Sequence, residues 1–199
     1  MTIAIVDYGA GNLTSVKKAL DRLGAMAIIT SDVEQVSRAD KLVVPGVGHF
    51  GATAALERNG MCAAIRTAIQ SEIPLLGICL GMQWLCAAST EAPELAGLEI
   101  FDADCTHFPA DVKAPHVGWN DLELVRESRL MSGLPQKPFV YFTHSYRLPL
   151  IEHTVASCEY GGAFSAAVEH GRIFGVQFHP EKSGAVGKKI LENFCELPC

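Results

Sequence analysis

Apolar residues follow two spacings along the first half of the chain. Unbroken apolar runs at 3–7 ("IAIVD"), 26–30 ("MAIIT"), 41–45 ("KLVVP") and 74–78 ("PLLGI") predict buried strands. Between the first two, Leu13, Val16, Leu20 and Leu23 recur at helical spacing, opened by the capping residue Asn12 and closed by Gly24. Further helices are predicted over 51–58, 62–71 and 80–88. Strands alternating with helices predict a parallel sheet covered on both faces.

The pattern then shortens. "HVGWNDLELV", "FVYFTHSYRL", "TVASCEY", "FSAAVEHG" and "RIFGVQFHP" are strand-like segments separated by turn residues, with a hairpin around "EHGR". A closing helix over about 184–196 carries Val186, Ile190, Leu191 and Phe194. No repeat or linker interrupts the chain. The expected architecture is one α/β domain over 1–199: a mostly parallel central sheet flanked by helices, with an antiparallel extension.

Composition narrows the options. The 199 residues are 49% hydrophobic and 19% charged, with a formal net charge of -6, so neither a basic nucleic-acid surface nor a membrane span is expected. The N-terminal segment has no signal-peptide pattern. Seven cysteines without a C-x-x-C pair fit free thiols in the cytosol. The seven histidines lack metal-ligand spacing, so no metal is expected.

Chemistry concentrates in "PLLGICLGMQWL". Here Cys79 stands in G-x-C-x-G between a predicted strand and a predicted helix. A sharp strand-to-helix turn needs small neighbours and presents its apex residue at the sheet edge, the nucleophile-elbow pattern. The helix start would lower the thiol pKa and offer the Leu80 N–H to an oxyanion. A buried core cysteine is the competing reading, and it suits Cys62, Cys86, Cys105 and Cys158. Cys195 and Cys199 read as incidental thiols.

A thiol nucleophile needs a base, and the base an orienting group. "GVQFHPEKS" offers His179 and Glu181, which in extended chain would project to the same side, with Pro180 opposing helix between them. An idle surface turn is the alternative. "GVGHFG" at 46–51 matches a dinucleotide signature, but it follows the third strand rather than the first and Pro45 precedes it. The loop reads better as a second wall of the site, with the N–H of Val47 or Gly48 as the other oxyanion donor and with glycines that would let the peptide flip.

"GICLGMQ" with "GVQFHPE" resembles the class I (triad) glutamine amidotransferases. "VDYGAGNL", "PGVGHFG", "PHVGWN", "YFTHSY" and "HPEKSG" make the chain similar, along its whole length, to the glutaminase subunits of imidazole glycerol phosphate synthases in histidine biosynthesis. The resemblance implies a flavodoxin-like fold. It implies Cys79 as nucleophile, His179 as general base and then acid, and Glu181 as the orienting carboxylate. Gln83 and Glu91 would hold glutamine, Glu91 through the α-amino group, and the Ser145–Tyr146 backbone would meet the α-carboxylate. No cofactor is implied.

A partner is implied: the cyclase subunit, a (β/α)₈ barrel that takes the ammonia, with Asn12, Trp119 and Lys182 at interface positions. A core role competes for Trp119, and solvated charges for Lys182 and Glu91. The other functions in view are the glutaminase of another synthase such as anthranilate synthase, a silent regulatory module of the same fold, and a cysteine hydrolase acting on peptides or esters.

Overall fold

The computed structural model describes residues 1–199, the side chain of residue 59 aside. Strands β1 (Thr2–Val6), β2 (Met26–Thr30), β3 (Lys41–Gly46) and β4 (Leu75–Cys79) fall within a residue or so of the apolar runs. They are followed by β5 (Cys86–Ser89), β6 (Phe101–His107), β7 (His116–Asp121), β8 (Glu123–Leu124), β9 (Phe139–His144), β10 (Tyr146–Arg147), β11 (Thr154–Glu159), β12 (Ala163–His170) and β13 (Ile173–Val176). The helices are α1 (Leu13–Asp21), α2 (Val33–Ser37), α3 (Ala54–Glu57), α4 (Met61–Gln70), α5 (Leu80–Trp84) and α6 (Gly184–Glu196). Short 3-10 turns cover Phe50–Thr53, Arg58–Gly60 and Pro180–Lys182.

The main sheet has eight strands in the order β2-β1-β3-β4-β13-β12-β11-β8. The first five run parallel, and β12 and β8 alternate with their neighbours in antiparallel pairing. Successive residues of a strand face opposite sides. Accordingly Ile3 and Ile5 join one core with Val16 and Leu20 of α1 and Ile190, Leu191 and Phe194 of α6. Ala4 and Val6 join the other with Val36 of α2 and Met61, Ala64, Ile65 and Ala68 of α4. That two-sided burial is why these strands read as continuous apolar runs.

Two departures from expectation bear on the site. The helix predicted over 80–88 ends at Trp84. Carbonyls in and just after its last turn are taken by residues further on, with Leu98 N–H donating to Trp84 (2.6 Å) and Ile100 N–H to Leu85 (2.9 Å). The chain then straightens into β5, which pairs in parallel with β6, a strand the sequence reading did not include. The extended chain expected through 179–181 stops at His179: Pro180 opens a 3-10 turn over Pro180–Lys182, as its fixed φ and missing N–H allow at a first helical position. No helix is long and apolar enough to cross a membrane.

Candidate active site

Cys79 ends β4 at the carboxyl edge of the parallel strands and caps α5 with φ 54° and ψ -108°. Positive φ is strained for a residue with a side chain, and three close packings enforce it. A Cβ on Gly77 would come within 2.9 Å of the Gly81 carbonyl group, and one on Gly81 would overlap the Val44 carbonyl oxygen. Gly46 lies beside Cys79 in the β3–β4 register, where a Cβ would strike Tyr8 and Leu80. The glycines of the motif are therefore steric requirements of the turn.

The neighbouring parallel strand β13 delivers the base. His179 Nδ1 donates to Glu181 Oε1 at 2.9 Å, and both side chains are only 2% exposed. The 3-10 turn, not an extended segment, brings the carboxylate under the ring. Ser183 fastens the turn from behind: its hydroxyl donates to the His179 carbonyl (2.6 Å) and accepts from the Tyr141 N–H of β9 (3.0 Å). Burial pulls the His179 pKa down, but the Cys79 sulfur and the Glu181 carboxylate outweigh it and hold the imidazole at about 9. Its Nε2 and Glu181 Oε2 make no hydrogen bond among the described residues.

A cavity of about 270 Å³ opens over the cysteine, lined by Gly48, Leu80, Gln83, Glu91, Thr143 and the Ser145–Tyr146 segment among others. Val47 is not among the lining residues, whereas Gly48 (φ 100°) is. The Gln83 amide donates at 3.0 Å both to the Tyr146 carbonyl and to Gln177 Oε1, and Gln177 Nε2 lies 3.7 Å from Cys79 Sγ. One Glu91 oxygen already accepts the Phe50 N–H at 2.6 Å.

A cysteine at a strained elbow, a buried His–Glu pair beside it and a small polar cavity above form a nucleophile–base–orienter set. The sequence matches the glutamine amidotransferase class-I family over residues 4–197. This chain belongs to the class-I glutamine amidotransferases.

Among curated amidotransferase relatives, the imidazole glycerol phosphate synthase subunit HisH of Moorella thermoacetica is 45% identical, covering 98% of this chain and 94% of that protein. Its namesake in Methanopyrus kandleri is 46% identical over 96% of each. A solved structure described as a glutamine amidotransferase superposes with a TM-score of 0.76 over 96% of this chain and 98% of its own, at 23% identity. The PurLQS structure from Thermotoga maritima gives 0.78 over 98% and 97%, at 18%. These two likenesses concern the fold.

The remaining expected positions of this amidotransferase lie away from the cavity. Trp119 is 55% exposed on β7, not in the core, and meets the Tyr141 ring edge-on at 6.1 Å. Lys182 Nζ sits 5.7 Å from the centre of the same ring. Val117 and Phe139 are exposed on the same β7–β9 ribbon. Asn12 has a structural duty, since its side chain accepts the Ser15 N–H at 3.4 Å and starts α1. Sequence reasoning missed Gln177 and Ser183. The apolar alternation around Gln177 gives no hint that its amide turns toward sulfur, and Ser183 is one of many serines beside a turn.

Proposed function

We propose that this chain is the glutaminase subunit of an imidazole glycerol phosphate synthase, a single amidotransferase domain working in the cytosol. It would hydrolyse L-glutamine to L-glutamate and ammonia and pass the ammonia to the cyclase subunit, which makes imidazole glycerol phosphate and aminoimidazole carboxamide ribotide. The observation that carries this is the buried His179–Glu181 pair beside Cys79, under a cavity of about 270 Å³ lined by Gln83 and Glu91. The near-full-length identity to HisH subunits supports the choice of synthase.

In this reading the Cys79 thiolate adds to the side-chain carboxamide carbon of glutamine. The resulting oxyanion accepts hydrogen bonds from the Leu80 N–H and from Val47 or Gly48. Each such donor is worth about 10²–10³ in rate. Imidazolium at His179 protonates the departing nitrogen, the C–N bond breaks, and a thioester and ammonia result. Neutral His179 then takes a proton from water as it attacks the thioester; the proton returns to sulfur's leaving side and glutamate is released. Glu181 holds the ring's tautomer throughout. Glu91 receives the α-amino group and the Ser145–Tyr146 backbone the α-carboxylate. Trp119 and Lys182, with Val117 and Phe139 around them, suit a docking face for the cyclase, because single-sided apolar exposure of this kind marks interfaces. Asn12 stands at an interface position by resemblance.

The test is glutamate release by the chain alone and with the cyclase subunit and its nucleotide ligand. A low rate alone that rises strongly with the liganded partner supports the assignment. Absence of glutamate release under both conditions overturns it.

A further inference from the structure

His116 and His144 face each other across the β7–β9 ladder, buried on the side opposite the exposed Trp119 and Val117. His116 Nδ1 and His144 Nε2 are 3.2 Å apart. His144 Nδ1 lies 2.9 Å from the Tyr146 carbonyl oxygen, and Asn120 Nδ2 lies 3.5 Å from His116 Nε2. Asn120 is oriented by its own backbone neighbourhood: Oδ1 accepts the Asp121 N–H at 2.9 Å, and Nδ2 also donates to the Glu159 carbonyl of β11 at 3.2 Å.

These contacts leave only one arrangement of protons for two neutral rings. A carbonyl can only accept, so His144 Nδ1 carries hydrogen and its Nε2 is an acceptor. His116 must then donate from Nδ1 and accept at Nε2, where Asn120 supplies the donor. Burial pulls both rings far below the usual histidine range, to about 4 and about 3, so they stay neutral at ordinary pH. The His116 ring cannot swing away, being stacked between Tyr160 (4.0 Å) and Phe142 (4.7 Å).

The far end of this chain is the wall of the cavity. The Tyr146 carbonyl accepts from both His144 and Gln83, and the Ser145 carbonyl accepts the Phe108 N–H at 3.1 Å. Because peptide units are planar, two consecutive carbonyls held this way fix the Ser145–Tyr146 backbone. From there Gln83 continues to Gln177 and Cys79.

We propose that His116 and His144 are positioning residues, a one-way hydrogen-bond chain from Asn120 to the Tyr146 carbonyl that holds the Ser145–Tyr146 backbone in its substrate-binding orientation. The inference rests on the glutaminase reading, in which that backbone meets the α-carboxylate of glutamine. It adds His144, which borders the cavity, and His116 behind it, outside the lining, and it ties the wall of the cavity to the ribbon whose outer side carries Trp119.

The experiment measures protection of Cys79 from iodoacetamide by glutamine in the full-length chain, following the Cys79 peptide by mass spectrometry. His144→Phe keeps the aromatic packing but loses the donor. It should raise the half-protecting glutamine concentration about tenfold, near the upper end for one lost hydrogen bond, with the unprotected alkylation rate within about twofold of wild type. His144→Asn, whose amide can stand where Nδ1 stands, should return protection to within about threefold. Wild-type protection by His144→Phe, or equal weakness of His144→Phe and His144→Asn, overturns the inference. Because His144 also borders the cavity, His116→Phe and Asn120→Ala, which lie outside its lining, are measured beside it; they are expected to weaken protection by about threefold or more, and unchanged protection in both overturns the inference. Glutamine that fails to protect the wild-type chain, by contrast, counts against the glutaminase reading itself.

Discussion

A methyl group on Gly81 would lie far inside contact distance of the Val44 carbonyl oxygen. The first turn of α5 is thus pressed directly on β3, and the strained Cys79 backbone is held from the side by a neighbouring strand. Gly81→Ala should therefore displace the elbow. We expect glutamate release to fall at least about a hundredfold, in line with the loss of oxyanion geometry, together with a lowered melting temperature. Wild-type kinetics in Gly81→Ala would contradict the packing argument.

The His179 proton gives a pH prediction. Its folded pKa of about 9 lies above the ordinary 6.5, so the folded chain holds this proton more tightly than the unfolded chain does. The stabilisation is complete below pH 6.5 and disappears as pH rises through about 9. Cys79→Ser removes the sulfur that helps raise the His179 pKa, so that pKa should fall and the decline should begin at lower pH. Denaturation midpoints between pH 6 and 10 for both proteins, or a direct NMR titration of His179, provide the check. Glutaminase activity should decline over the same alkaline range, because the departing nitrogen needs the imidazolium.

Lys41 is fully buried at the start of β3, with its ammonium donating to the carbonyls of Phe194 (2.9 Å), Cys195 (2.5 Å) and Leu197 (2.6 Å). It satisfies the end of α6 and sits where the helix dipole favours a cation. Lys41→Met preserves volume but strands those acceptors. A loss of about 2–4 kcal/mol in urea unfolding is expected, with little change in glutamine affinity. A loss under about 0.5 kcal/mol would mean the carbonyls find other partners.

Trp119→Ala should leave glutamate release by the isolated chain within about twofold, while stimulation by the cyclase drops about tenfold or more, as for a central interface aromatic. An unchanged stimulation ratio would remove Trp119 from the docking face.

The parallel half of the fold was legible because both faces of β1, β3 and β4 are buried, which writes itself as apolar runs. The elbow was legible because sterics force glycine at Gly77 and Gly81. What escaped the sequence depended on contacts between distant segments. α5 stops at Trp84, where residues 97–100 donate to the carbonyls of Trp84 and of the three residues after it, and nothing in "LCAA" announces that. β6 carries Phe101, Ala103 and Cys105 at strand spacing, but the intervening aspartates are poor strand formers and masked it. The pairing of His179 with Glu181 was expected for the wrong backbone, since Pro180 starts a tight turn instead of extending the chain. Trp119 looked equally suited to core or surface; only the ribbon's register decides that it faces outward.

The strand that leads to His179 has a consequence for how the enzyme comes into being. β13 occupies the slot between β4 and β12, so the chain's first four strands close against the rest of the main sheet only when residues 173–176 are inserted. During synthesis Cys79 emerges a hundred residues before His179. Until the last strand and the turn after it are in place, the thiol has neither its imidazole partner nor its Glu181-oriented base. A chain that has not yet placed β13 and the turn after it therefore lacks the Cys79–His179–Glu181 grouping, which depends on pairing segments about a hundred residues apart in sequence.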